Sequence, residues 1–267
     1  MAYRIGVVGC AGRMGQMLVR EILATQGAAL AGGSEVPGSP AIGRDLGEIA
    51  GAGSLPMKVM ADPAELFEAA DVVIDFTTPA ATLAHAQLAA EKGKALVIGT
   101  TGLDAAADKA IAEAARRATI VRSPNMSLVV NLLFALTEQV ASRLGPEFDI
   151  EILEIHHRHK VDAPSGTALA LGDAAAHGRG VTLDQVAVRG RDGHTGPRSA
   201  GAIGFAALRG GNEVGDHTVM FCGPAERLEL THKASSRQIY ASGAVRAALW
   251  TRGKPPGLYG MRDVLGL

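Results

Sequence analysis

Two hydrophobic periods share the first half of this chain. Tyr3 to Gly9, Arg4 apart, is apolar and β-branched, the pattern of a buried strand. Apolar residues then recur at helical spacing through Met14, Met17, Leu18, Ile22 and Leu23. Ala28 to Gly33 reads as a second strand, and the Gly- and Pro-rich stretch from Ser34 to Lys58 predicts irregular backbone. Val72 to Phe76 is strand-like. Thr77-Thr78-Pro79 offers an N-cap and a first-turn proline for a helix that reaches Lys92 and stops at Gly93. A strand from Ala95 to Ile98, a helix from Asp104 to Arg117 and a short strand from Thr119 to Arg122 complete the series.

Strand–helix alternation of this kind predicts an α/β fold with a Rossmann-like, doubly wound parallel sheet. The pattern changes after residue 125. Leu128 to Leu144 is a long apolar helix and Asp149 to His156 alternates as a strand does. Ile203 to Leu208, Thr218 to Phe221 and Arg227 to Thr231 are strands with few helices between them. This half predicts a second α+β domain with a mixed or antiparallel sheet. Ser236 to Trp250 returns to helix and packs back on the first domain. The expected division is therefore 1–126 with 237–267, and 127–236.

Composition narrows the class. At 267 residues with 47% hydrophobic content the chain builds a substantial core. A net charge of −1 argues against a nucleic-acid partner bound by bulk charge. The two cysteines, Cys10 and Cys222, fit a reducing compartment. Neither a cleavable leader nor a membrane-length apolar run is visible, so a cytoplasmic protein with no membrane partner is expected.

Two segments carry candidate chemistry. Gly9-Cys10-Ala11-Gly12-Arg13-Met14-Gly15 joins the first strand to the first helix. Glycines there let a pyrophosphate approach backbone N–H groups at a helix start, although the same turn also serves packing alone. Glu35, about 20 residues on, suits ribose hydroxyls, or is a solvated loop carboxylate. Gly99-Thr100-Thr101 and Ser123-Pro124-Asn125-Met126 follow strand ends, where ligand loops of an open sheet lie, and either is equally an ordinary turn.

The second segment runs from Glu154 to Thr167. His156, His157, Arg158, His159 and Lys160 crowd together, and Ser165-Gly166-Thr167 then opens an alanine-rich helix. If the strand continues past His156, alternation places His156 and Arg158 on one face and His157 and His159 on the other, which disfavours a metal site. Histidine and lysine suit proton transfer, and a helix start suits a carboxylate. A purely structural role, with Ser165 a plain N-cap, is the alternative. So many cations in one stretch call for an anion among them.

These segments, with Gly193-His194-Thr195-Gly196, Ile203-Gly204-Phe205, Gly215-Asp216-His217-Thr218 and Thr231 to Arg237, resemble the 4-hydroxy-tetrahydrodipicolinate reductases, formerly called dihydrodipicolinate reductases. The match runs in order from residue 4 to about residue 265. The resemblance implies NAD(P)H-dependent reduction of a small cyclic dicarboxylate on the bacterial route to diaminopimelate and lysine. It implies that residues 1–126 and 237–267 bind the dinucleotide and that 127–236 bind substrate and build a homotetramer. It assigns His156 as acid/base, Lys160 as proton donor, and His157, Ser165, Gly166 and Thr167 to the substrate. Gly9, Cys10, Ala11, Gly12, Arg13, Met14, Glu35, Gly99, Thr100, Thr101, Ser123, Pro124, Asn125 and Met126 are assigned to the cofactor, and no metal is implied. Many family members carry Arg directly after the ribose-binding acid; Val36 stands there instead, which implies that NADH is used at least as well as NADPH. Arg13 remains a cation available to a 2′-phosphate. The competing readings are another two-domain NAD(P)-dependent dehydrogenase, which leaves the Lys160 and Ser165–Thr167 anion site unexplained, and a dinucleotide sensor, which would want an appended partner module.

Overall fold

A computed structural model describes residues 1–267 as two compact units, Met1–Leu128 with Gln238–Leu267, and Val129–Arg237. The first unit begins β1 (Tyr3–Val8), α1 (Arg13–Ala24), β2 (Ala28–Ser34), α2 (Leu46–Ala50), α3 (Pro63–Ala69) and β3 (Val72–Asp75). It continues through α4 (Pro79–Lys92), β4 (Ala95–Ile98), α5 (Ala105–Ala114) and β5 (Thr119–Arg122). The second unit takes α6 (Leu128–Arg143), β6 (Asp149–His156), α7 (Gly166–Gly178), α8 (Leu183–Val186), β7 (Ala187–Val188), β8 (Ile203–Arg209), β9 (Asp216–Cys222) and β10 (Arg227–Lys233). The chain then returns to the first unit with α9 (Gln238–Trp250), β11 (Gly257–Tyr259) and α10 (Met261–Leu265).

The first sheet has six strands in the order β11-β5-β4-β3-β1-β2, paired in parallel throughout. Every residue of β3 and β4 is buried. Successive side chains serve opposite cores. Val72 and Ile74 join a cluster with Leu18 and Ile22 of α1 and Ala244 and Val245 of α9. Val73 joins Leu66 and Phe67 of α3, Ala86 of α4 and Ile111 of α5. That is why Val72 to Ile74 and Ala95 to Ile98 read as unbroken apolar runs. The order reverses between β1 and β3, so the loops after their carboxyl ends flank the crevice where open α/β sheets hold ligands.

The stretch 34–58, expected to be irregular, contains helix α2. Asp45 caps it, accepting from the Gly47 and Glu48 amides at 2.8 and 3.0 Å, and Gly51 closes it in the left-handed conformation at φ 70°. At five residues the helix is too short to print a periodic pattern.

The second sheet is mixed, in the order β10-β9-β6-β8-β7. β6 runs antiparallel to β9 and parallel to β8. Burial alternates along β6, so Ile150, Ile152, Glu154 and His156 share the inner face, with α7 supplying Ala168, Leu171 and Ala175 to the same core. No helix is long and apolar enough to cross a membrane.

Candidate active site

The glycine loop is a tight strand-to-helix turn. Gly9 adopts φ +66°, and its amide and that of Cys10 both donate to the Ser34 carbonyl, at 2.9 and 3.2 Å. A Cβ on Gly15 would lie 2.1 Å from the Gly9 carbonyl oxygen, so only glycine lets α1 start this close to the strand. Gly12 precedes α1 without a side-chain cap, whereas Asp62, Thr78, Asp104 and Ser165 cap α3, α4, α5 and α7. An uncapped first turn behind a glycine cradle fits the pyrophosphate of a dinucleotide. Glu35 reaches back to this loop: Oε1 accepts from the Ala11 amide at 2.8 Å and Oε2 from Val36 at 3.3 Å. Arg13 is exposed and Met14 partly so. The Cys10 thiol is buried against Gly33, and burial, helped by the Glu35 charge, pushes it up to about 12. It is a neutral packing group, so its share in any ligand contact is its backbone.

The other loops leave the same sheet edge. Val8, Asp75 and Ile98 stand in register across β1, β3 and β4, and Arg122 of β5 pairs with Ile98. The glycine loop, residues 76–78, Gly99–Gly102 and Ser123–Met126 therefore start side by side. Gly99 packs under Phe76, whose ring would lie 2.3 Å from a Cβ at that position. Thr100 is buried and Thr101 exposed. Ser123 Oγ donates to the Asn125 carbonyl at 2.7 Å, and Asn125 Oδ1 accepts from Ser127 at 2.9 Å, which fixes the turn. Pro124 is exposed. Met126 is core, and its carbonyl leaves no room for a Cβ on Gly243, 1.7 Å away.

In the second unit the histidine run is organised around Glu154. Its side chain is 1% exposed on the inner face of β6. Oε2 meets His156 Nδ1 at 2.5 Å and Arg209 at 2.8 Å; Oε1 accepts from Arg209 at 2.9 Å and from the Ser165 amide at 3.1 Å. Burial works to raise this carboxyl, but the hydrogen bonds from Arg209 and His156 outweigh it and hold the group below its ordinary range. An ionised Glu154 requires His156 to donate from Nδ1, which leaves Nε2 as the ring nitrogen able to accept a proton. Gly215, at φ +150°, passes close to that nitrogen, since a Cβ there would be 2.7 Å from Nε2.

The same carboxylate touches the start of α7. Ser165 Oγ accepts from the Ala168 amide at 3.1 Å and pairs with His217 Nε2 at 3.1 Å. Ser165 is thus an N-cap and also part of a polar network. Burial, then the charge of His156, lowers His217 to about 4, so it is a neutral ring. It stands edge-on to His156 with centroids 5.1 Å apart. A Cβ on Gly166 would meet nothing within 4 Å, so this end of α7 faces open space.

The strand ends at His156, as its pattern indicated, so strand alternation does not extend to His159. Residues 157–160 turn instead: the Lys160 amide donates to the His157 carbonyl at 3.1 Å, and the His157 and His159 rings lie 6.3 Å apart. The chain supplies its own counter-anions to the cationic run. Lys160 Nζ pairs with both oxygens of half-exposed Asp162, at 2.8 and 2.9 Å, and Glu154 serves His156 and Arg209. Desolvation, then Arg237 and the neighbouring cations, lower His157, whose Nδ1 is buried without a partner. No group of three or more His, Cys, Asp or Glu side chains is arranged to hold a metal ion.

Sequence reasoning gave no role to Glu154, Arg209, His217 or Gly215. The i, i+2 relation of Glu154 and His156 on one strand face was a readable signal. Arg209 and His217 come from β8 and β9, and only the sheet order brings them in.

Comparison with known proteins agrees across the whole length. Residues 3–126 match the model of the dihydrodipicolinate reductase N-terminus, and residues 129–265 that of its C-terminus. The 4-hydroxy-tetrahydrodipicolinate reductase of Brucella abortus (strain 2308) is 58% identical over 262 residues, covering 98% of each chain. That of Rhodopseudomonas palustris (strain BisB18) is 56% identical over 264 residues, covering 99% of this chain and 97% of the relative. Among solved structures, a dipicolinate-bound dihydrodipicolinate reductase from Paenisporosarcina sp. TG-14 shares the fold at a TM-score of 0.77 and 24% identity, over 98% of this chain and 99% of that one. The chain belongs to the dihydrodipicolinate reductase family.

Proposed function

We propose that this chain reduces 4-hydroxy-tetrahydrodipicolinate to tetrahydrodipicolinate, with loss of water, in diaminopimelate and lysine biosynthesis. The observation that carries the reading is one buried carboxylate, that of Glu154, which joins His156 to the cap of α7 at Ser165. A proton-handling ring and a carboxylate-binding helix start are held at fixed positions by one group. A ring bearing two carboxylates and needing one proton is the substrate such a pair suits.

The loops of the first unit hold the cofactor. Gly9, Cys10, Ala11, Gly12, Arg13 and Met14 line the pyrophosphate cradle, and Glu35 turns from the Ala11 amide to the ribose. Gly99, Thr100 and Thr101, with Ser123, Pro124, Asn125 and Met126, complete the binding edge. When bound, NADH or NADPH supplies the hydride that arrives at ring C4 once the 4-hydroxyl has left as water. The chain's own task is orientation, charge neutralisation and the proton. Gly166 and Thr167, with Ser165 behind them, hold one substrate carboxylate at the start of α7. Lys160 exchanges Asp162 for substrate; a half-exposed ion pair is worth little, so the exchange costs little. His156, presenting Nε2, and Lys160 deliver the proton to C3, and neutral His157 contacts the ring.

Val36 is 68% exposed and carries no charge beside Glu35, which supports use of NADH at least as well as NADPH. The inner-face alternation leaves Ala206 and Leu208 of β8 exposed beside partly buried Leu153 and Ile155 of β6. That apolar sheet face supports assembly of the second unit into a homotetramer. Unpaired Cys10 and Cys222 support a reducing, cytoplasmic setting.

The test is the near-ultraviolet absorbance of the reduced nicotinamide, followed with substrate generated in place by the synthase. Steady oxidation supports the reductase. Cofactor binding without oxidation would leave a dinucleotide sensor, and oxidation only with sugars or aldehydes another dehydrogenase.

A further inference from the structure

Asp75 is a fully buried carboxylate that the reading above does not use. It is the last residue of β3, in register with Val8 on one side and Ile98 on the other. It therefore sits under the seam between the glycine loop and the Gly99–Gly102 loop. Oδ1 accepts from the Thr77 amide at 2.8 Å, the Thr77 hydroxyl at 2.6 Å and the Thr100 hydroxyl at 3.3 Å. Oδ2 meets His85 Nδ1 at 2.8 Å. His85 projects from α4, and its side chain is only 12% exposed. Thr100 Oγ1 accepts in turn from the Thr82 hydroxyl at 2.9 Å and from the Thr77 amide at 3.1 Å. Thr77 carries the arrangement to the glycine loop, because a Cβ on Gly9 would lie 2.8 Å from its methyl group.

A carboxylate removed from water at a sheet interior is expensive unless it is paired and hydrogen-bonded. Burial works to raise Asp75, and the His85 contact and the Thr77 bonds outweigh it. A hydroxyl or an apolar residue would close this strand end at lower cost, so the charge needs a use. Every group it touches lies on a loop of the binding edge or on the helix behind it.

We propose that Asp75 and His85 form a positioning clamp for the cofactor: His85 holds the Asp75 carboxylate, and Asp75 fixes Thr77 against Gly9 and Thr100 against the neighbouring loop. Neither residue is a catalytic group, and both act through the two threonines. The inference rests on the cofactor assignment of these loops.

The test compares His85→Leu with His85→Asn, whose amide can still donate to Asp75, in the full chain. NADH affinity is read by fluorescence titration and turnover at saturating cofactor. The clamp predicts about a tenfold weaker NADH Kd for His85→Leu, kcat within about threefold, and recovery of most of the affinity in His85→Asn. Thr82→Val removes one hydroxyl from Thr100 with little change of shape, and weakens the Kd by about threefold; it serves if His85→Leu does not fold. NADH affinity unchanged in a folded His85→Leu, or in Thr82→Val where His85→Leu is unfolded, overturns the clamp alone. A wild-type chain that binds neither NADH nor NADPH overturns the cofactor reading and the clamp together.

Discussion

Replacing Glu154 by glutamine keeps the shape of the side chain and removes its charge. The carboxylate has four polar contacts, two to Arg209 and one each to His156 and the Ser165 amide. A glutamine side chain accepts at one oxygen only, and its amide N–H groups then face donors. At least two charge-assisted bonds are lost, each worth ~1.5–3 kcal/mol. Arg209 is 20% exposed, so water recovers part of the loss on that side. The expected destabilisation is about 2–4 kcal/mol, overlapping the lower part of the ~3–5 kcal/mol range for breaking a buried ion pair from one end. His156 also loses the acceptor that fixes its tautomer, and Ser165 the tie to β6. Turnover should fall by about 10–100-fold, the usual cost of removing a carboxylate that orients a functional histidine. The KM for cofactor, which the proposed function assigns to the loops of the first unit, should hold within about twofold. The acid limb gives an independent check. Glu154 titrates below its ordinary 4.5 in the folded chain, so it contributes stability that is full above 4.5 and is lost as pH falls through the lower, folded value. Glu154→Gln should therefore lose less stability on acidification than wild type. Urea unfolding at a series of pH values and steady-state kinetics supply both readouts. A variant within 0.5 kcal/mol of wild type (about the spread of neutral surface substitutions) and with unchanged kcat would refute the role given to this carboxylate.

Other perturbations bear on separate parts of the account. His217 falls from 6.5 unfolded to about 4 folded, so the unfolded chain takes up the proton first and stability declines as pH drops below 6.5. About 2 kcal/mol should be gone by pH ~5, and His217→Asn should flatten that slope in urea titrations; equal slopes would contradict a buried neutral ring. Lys160→Met should depress kcat by ~100-fold or more in steady-state assays if the amine gives a proton and holds a carboxylate. Val36→Arg places a cation beside Glu35 and should raise the NADPH-to-NADH ratio of kcat/KM about tenfold. An unchanged ratio would remove Val36 as a determinant of cofactor choice.

The legible part of the fold was the part governed by local pattern. Ile5 to Val8, Val72 to Ile74 and Ala95 to Ile98 are buried on both faces and read as apolar runs, and α4 announced itself through Thr78, Pro79 and Gly93. β6 showed its inner face by alternation. α2, β7 and β11 were not visible, because five, two and three residues are too few to display a period. β6 was read from Asp149 to His156, the bounds it has in the structure. Its end is set by pairing with β8 and β9, which stops at Arg209 and Asp216. The candidate site was legible as a proposal where chemistry is clustered along the chain, in the glycine loop and from His156 to Thr167. Its partners were not, since Arg209 lies 55 and His217 lies 52 positions from the groups they bond, Glu154 and Ser165. Asp75 and His85 hid inside segments that already had a sufficient reading as strand and helix.

Isotope tracing tests the central claim most directly. With nicotinamide deuterated at its transferable position and fresh synthase product as substrate, the proposed reaction places one deuterium at ring C4 of tetrahydrodipicolinate, and with unlabelled cofactor in heavy water it places solvent deuterium at C3. Product without label at C4, or cofactor left unoxidised, would contradict the account.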